Sequence, residues 1–333
     1  MRAMVYKSPM KMQIEEIDFP KFETNEVLLK VKSVGICGSE LHGYLGHDST
    51  ITEGSVFGHE FSGEVIKSNS PDFPEGKLVT SNSAISCGNC EFCKSRRDNL
   101  CTHRIRLGKS RQGAFAEFIS VPVSAIIDLP QNIDPIQASL VEPMATAMHG
   151  LRTAKKHLAY PIKNCQVLIL GAGSIGLIAG ILLKEMGCIS ITMAEPNASR
   201  RETANKQIRC ETYNPELSTP GEEKFDYIFD AVGSLETLST SIKSIKRGGV
   251  ITLVGLQGKN LILDSQKIIR AGITLMGVAN YPSSDLHASV NMIGKGIFKD
   301  LSWVQTRTLN EGPMAFNDLL NPQFSFSKII LIP

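Results

Sequence analysis

Residues 27–34, VLLKVKSV, set β-branched and leucine residues in partial alternation with polar ones, and Thr24-Asn25-Glu26 before them favours a turn, so the pattern predicts a strand. Shorter runs at 61–66 and 77–80 and an alternating stretch at 113–121 predict further strands, and the Pro/Asp/Gly-rich residues 68–76 between the first two predict a loop. Many short strands separated by turns suggest a barrel-like β domain. At 136–149, IQASLVEPMATAMH, the period becomes helical.

From residue 166 onwards the pattern changes again. VLIL at 167–170 is a continuous apolar run of the kind buried on both faces in a parallel sheet. It leads into a helix ending near Met186, with Gly187 placed as its C-terminal stop. Strands at 190–194, 227–233, 249–255 and 273–278, with a helix at 235–246 between the second and third, make a doubly wound α/β domain. Helices at 286–296 and 314–320 and a strand at 328–332 close the chain, and that strand is expected to return to the first domain.

Composition narrows the class. The 333 residues are long for one core, and 42% hydrophobic with 20% charged residues describes an ordinary globular protein of about two domains. A net charge of +2 without long like-charge runs implies neither a nucleic-acid nor a membrane-surface partner. Residues 164–183 carry no charge, but Gly171, Gly173, Gly176 and Gly180 make a strand, turn and helix a better account than a membrane span. The start, MRAMVYKSP, has no signal-like apolar run, so a cytoplasmic protein is expected. Its eight cysteines then read as metal ligands or free thiols before disulfides.

The candidate chemistry lies in three places. Cys37, Ser39 and His42 share one tight turn, and His59-Glu60 follows between Gly58 and Gly63. Thiolate, imidazole and carboxylate form a zinc ligand set of the catalytic kind, which leaves one position open. Glu142, inside an apolar helical run, must be paired, protonated or metal-bound unless it faces solvent, and it competes with Glu60 for the third place. Cys87, Cys90, Cys93 and Cys101 are spaced C-x2-C-x2-C-x7-C in a polar loop, which suits a closed structural zinc site. An iron–sulfur cluster also takes four thiolates, but its usual run has a shorter last spacing and then a proline, where this chain has Thr102.

The third place is Gly171-Ala172-Gly173-Ser174-Ile175-Gly176, set between strand and helix, with Glu195 closing the next strand. In this setting the glycines admit a pyrophosphate to the helix N-terminus, and the carboxylate binds ribose hydroxyls. Glu195 favours NAD by repelling a 2′-phosphate. Arg200, close by, leaves NADP as the less favoured alternative.

With these signatures in this order, the chain resembles the zinc-dependent medium-chain alcohol and polyol dehydrogenases essentially end to end. The VEP triplet at 141–143, where simple alcohol dehydrogenases carry a cysteine, is similar to the sorbitol branch. ANYPSS at 279–284, SRQGAFAEF and the closing SKIILIP look most like galactitol-phosphate dehydrogenases. Departures are Gly38-Ser39-Glu40 in place of Gly-Ser/Thr-Asp, and Gly76-Lys77-Leu78-Val79 in place of Gly-Asp-Arg-Val.

The resemblance implies a GroES-like catalytic domain at 1–147 and 281–333, with a zinc lobe at about 83–104, and a Rossmann domain at 148–280. It also implies two zinc ions per chain, a small alcohol or polyol substrate, a homodimer or homotetramer, and a proton relay from Ser39 to His42. L-threonine-type or simple-alcohol oxidation, and a catalytically silent zinc-bearing homologue, are the alternatives. A zinc-free quinone or enoyl reductase on the same fold would lack both ligand sets.

Overall fold

The computed structural model describes residues 1–258 and 262–333, which divide into two compact units. One comprises Met1–Glu142, Pro282–Phe324 and Lys328–Pro333; the other comprises Pro143–Tyr281 and Ser325–Ser327.

The first unit is built around the strand Glu26–Gly35, which is buried at eight of its ten positions. It pairs antiparallel with Glu60–Ser68, Phe118–Pro122 and the closing strand Lys328–Ile332. Gly35 lies opposite both Glu60 and Ile330, so three remote segments meet at its C-terminal end. Val27, Leu29, Val31 and Val34 feed a core that includes Phe57, Phe61 and Phe115. Phe316, from the helix Gly312–Leu320, packs among Tyr44, Phe57 and Phe115 with ring centroids 5.0–6.4 Å apart.

Two local expectations change. The alternating run at 113–121 is a strand only over Phe118–Pro122. Its first part is pressed against the turn before His59: Ala114 N donates to Gly58 O and Phe115 N to Phe57 O, both at 2.8 Å. A Cβ at Gly113 would lie 2.4 Å from Phe57 O, which is why glycine stands there. The helical stretch at 136–149 is two helices, Pro135–Ser139 and Val141–Ala154. Pro143 has no N–H to bond back to Ser139, and it is tolerated because it falls in the first turn of the second helix.

The second unit holds six parallel strands in the order Glu211–Tyr213, Ser190–Ala194, Gln166–Leu170, Phe225–Asp230, Ile245–Leu253 and Thr274–Gly277. The chain starts in the middle, winds to one edge and returns to build the other half. The switch point therefore lies beyond the C-terminal ends of Gln166–Leu170 and Phe225–Asp230, where open α/β sheets bind ligands. No helix among the described residues is long and apolar enough to cross a membrane.

Candidate active site and metal centres

Cys37 follows the central strand and is the N-cap of the seven-residue helix Gly38–Tyr44. Glu40, 5% exposed, turns back on that helix and ties three groups together. Its carboxylate accepts from Cys37 N at 3.0 Å, Gly58 N at 2.7 Å and, at 2.9 Å, His59 Nδ1. In the neutral imidazole, Nδ1 donating to Glu40 leaves the lone pair on Nε2, the form a metal would take. Gly58 makes this turn possible: its φ is +103°, and a Cβ there would lie 2.5 Å from Phe115 N.

The result is a convergent trio. One ligand atom from each of Cys37, His59 and Glu60 lies within 4.8 Å of the others. Glu142 is not part of this group; it sits in the first turn of Val141–Ala154 and accepts from Ser83 Oγ at 3.2 Å. Behind Glu60 lies a residue that the sequence did not single out. Lys328, 1% exposed, pairs with the Glu60 carboxylate and donates to Ile36 O at 2.9 Å. Gly35 leaves the room, since a Cβ there would come within 2.5 Å of Glu60 Oε2.

Burial pushes the Lys328 ammonium towards its neutral form, but the negative charge of Glu60, Cys37 and Glu40 outweighs it and raises the pKa. His59 shows the same balance: burial lowers it, while Glu40 and Cys37 raise it well above the ordinary imidazole value.

Ser39 and His42 lie on the helix Gly38–Tyr44 three residues apart, which puts them on one face. Both are half-buried, and the His42 ring stands edge-on to His47 with centroids 4.9 Å apart.

Cys87, Cys90, Cys93 and Cys101 form a second convergent group, with no disulfide among them. Two sulfur pairs stand 3.4 and 4.0 Å apart. Zn–S bonds of about 2.3 Å in a tetrahedron place sulfurs roughly 3.8 Å apart, so this donor set fits the metal without rearrangement. The Cys93 amide holds the Cys90 thiol down at about 6.

In the second unit Gly171 has φ +92°, and Gly173 caps the helix Ser174–Glu185. A Cβ at Gly176 would fall 1.9 Å from Gly171 O, so the third glycine sets the close approach of helix to strand. Glu195 is buried and accepts from Ala172 N at 2.8 Å and Asn197 N at 3.0 Å. The fingerprint loop and the acidic strand end are thus one hydrogen-bonded piece. Nε of Arg200 is buried without a partner among the described residues, a donor left over for a ligand. Asp230, at the end of Phe225–Asp230, accepts from Val232 N and Gly233 N, and burial raises its pKa.

An alcohol dehydrogenase GroES-like domain model matches residues 23–131, and a zinc-binding dehydrogenase model matches residues 174–295. D-arabitol-phosphate dehydrogenase of Enterococcus avium is 30% identical over 86% of this chain and 84% of its own length. The chain belongs to the zinc-dependent medium-chain alcohol and polyol dehydrogenases. L-galactonate-5-dehydrogenase of Escherichia coli K12 is 29% identical, with 89% of this chain and 88% of that one covered. A zinc-binding dehydrogenase of Sinorhizobium meliloti, solved bound to NADP, superposes with a TM-score of 0.89 at 25% identity, covering 100% of this chain and 99% of that one.

Membership makes the chain an oxidoreductase of the alcohol dehydrogenase type, and the structure adds Glu40, Lys328 and Asp230 to the residues that the motifs name. Only Glu40 left a trace in the sequence, as the departure from the usual Gly-Ser/Thr-Asp. Lys328 opens an ordinary strand, KIILI, and its partner stands 268 positions earlier, a pairing no local pattern carries.

Proposed function

We propose that the chain oxidises a secondary hydroxyl of a polyol or polyol derivative and passes hydride to NAD, with Cys37, His59 and Glu60 holding a catalytic zinc and the four-cysteine lobe a structural one. The observation that carries this reading is the convergence of Cys37, His59 and Glu60 within 4.8 Å, braced by Glu40 and Lys328. Bound there, zinc would supply a Lewis acid that makes the substrate hydroxyl easier to ionise.

The remaining steps belong to the chain's own groups. Glu40 fixes the ring of His59, and Lys328 holds Glu60 in place. Glu142, restrained by Ser83, is the alternative carboxylate in this reading. Ser39 accepts the proton released from the substrate hydroxyl, and His42, one turn along the helix, gives it to solvent. The glycine loop and the N-terminus of Ser174–Glu185 cradle the dinucleotide pyrophosphate. Glu195 faces the ribose and disfavours a 2′-phosphate, so NAD is preferred over NADP, with the spare donor of Arg200 beside it.

The two relatives named above act, by their names, on a sugar acid and a pentitol phosphate, both rich in secondary hydroxyls. The test is a panel of free polyols, aldonates, polyol phosphates, threonine and simple alcohols, each with NAD and with NADP, followed by reduced-nicotinamide absorbance on zinc-loaded protein. The highest kcat/KM is expected for a polyol-type compound with NAD. A clear preference for threonine or a simple primary alcohol would replace this reading.

A further inference from the structure

Four basic side chains crowd the short segment from Arg104 to Arg111, and three of them have partners. Arg104 donates to Asn99 O at 3.0 Å and Cys101 O at 3.2 Å, clasping the cysteine lobe. Lys109 pairs with Asp48 at 2.5 Å, and Arg111 pairs with Glu26 at 2.5 Å. The guanidinium of Arg106 has neither a hydrogen-bond nor an ion-pair partner among the described residues, although the residue is half-buried. The acid that acts on it, Asp48, is already taken by Lys109 and by Thr50 Oγ1 at 2.6 Å.

The backbone brings the segment that carries this spare cation against the turn before His59. The strand Ile105–Arg106 pairs with Ala84–Ile85, and Leu107 N is anchored to Ser83 O at 3.0 Å. The chain then turns tightly, with Arg106 O accepting from the amides of Lys109, Ser110 and Arg111 at 3.1–3.2 Å. Gly108, inside that turn, touches the neck of the metal pocket: a Cβ there would lie 3.2 Å from Gly58 N, one residue before His59. Asp48 follows His47, whose ring packs on His42. The turn that carries Arg106 is therefore closed by its own hydrogen bonds, packs through Gly108 against the turn before His59, and is tied by Lys109 to Asp48 in the loop that leaves the Cys37 helix.

A partly desolvated guanidinium without a counter-ion costs stability unless a ligand supplies the anion. Its planar fork suits the two oxygens of a phosphate or carboxylate. We propose that Arg106 is a specificity-determining residue that binds an anionic group, phosphate or carboxylate, carried by the substrate at a distance from the reacting hydroxyl. This rests on the alcohol-oxidising role proposed above for the Cys37 site. Arg106 then favours a polyol phosphate or an aldonate over the uncharged polyol. Asp48 keeps the neighbouring Lys109 occupied, and Arg104 is tied to two carbonyls of the cysteine lobe, so Arg106 is the guanidinium of this segment left for an anion.

The test uses zinc-loaded protein with three matched ligands: a free pentitol, the same pentitol bearing a terminal phosphate, and the corresponding aldonate. Wild type is compared with Arg106→Gln, which keeps polarity and bulk without charge, and with Arg106→Lys. Two readouts are taken: kcat/KM with NAD, and calorimetric affinity without NAD. Wild type is expected to bind one charged ligand at least tenfold more tightly than the free pentitol. Arg106→Gln should reduce that ratio by roughly 10- to 100-fold, the range for losing a charge-assisted hydrogen bond, while Arg106→Lys keeps part of it.

Which charged ligand shows the ratio separates phosphate from carboxylate. A ratio near one in wild type, or a ratio equal in wild type and Arg106→Gln, overturns the proposal even if the pentitol is oxidised. If no compound is oxidised but the charged ligand still binds in an Arg106-dependent way, the proposal stands and the alcohol-oxidising reading falls.

Discussion

Glu40 and Lys328 hold the trio from opposite sides, and each makes a different prediction at the scale of a single residue. Glu40 accepts three hydrogen bonds, one of them from His59 Nδ1, so Glu40→Ala frees the imidazole to rotate and to change tautomer. Removing such an orienting group costs roughly 10- to 100-fold in metal affinity. Competition with a chelator should show one zinc leaving that much more readily, while the four-cysteine site keeps its own. Both metals holding as in wild type would count against a metal role for His59.

Lys328→Met, by contrast, leaves the Glu60 carboxylate buried without its cation. Breaking a fully buried pair by removing one partner costs about 3–5 kcal/mol, to be read from urea unfolding of the metal-free protein. Zinc should restore part of that loss, because it supplies the missing positive charge. A metal-free variant as stable as wild type would mean that the Lys328–Glu60 pair adds nothing to the fold.

At the scale of elements, the strand Glu26–Gly35 carries a buried carboxylate at its start. Burial alone would raise the pKa of Glu26, but Ser120 Oγ and Arg111 outweigh it and hold it below the ordinary value near 4.5. A depressed carboxylate pKa stabilises the fold above the unfolded-state pKa, and the gain is lost as pH falls through the folded one. The stability gap between wild type and Glu26→Gln should therefore be widest near neutrality and close as pH drops below about 4.5. Urea midpoints measured across that range would show it; a constant gap would put the effect down to packing.

Elements also mark the limits of sequence reading. VLIL at 167–170 and VLLKVKSV at 27–34 announce themselves because burial on one or both faces writes directly into residue type. The run at 113–117 misleads because it alternates like a strand while its amides are spent on the turn at Phe57 and Gly58. Cys37, His59, Glu60 and the four cysteines were visible because metal donors are rare residue types at telling spacings. Lys328 and Arg106 were not, since their meaning comes from which remote groups do or do not face them.

At the scale of the molecule, the two units differ in how they use the chain. The second is nearly continuous, running from Pro143 to Tyr281 with Ser325–Ser327 added. The first is split, and its central strand meets Lys328–Ile332 only after residues 36–327 have been made. During synthesis the nucleotide-binding half can thus fold while the chain is still growing, whereas the pocket at Cys37 lacks its floor until the closing strand leaves the ribosome. Metal loading becomes a late event, and a nascent chain stalled before Lys328 should already resist protease over 143–281 yet leave Cys37 open to alkylation. Protection of Cys37 in that stalled chain would show that the pocket closes without its last strand. On this account the maturing enzyme acquires its cofactor-binding half first and its reactivity last, which keeps an unfinished chain from doing chemistry.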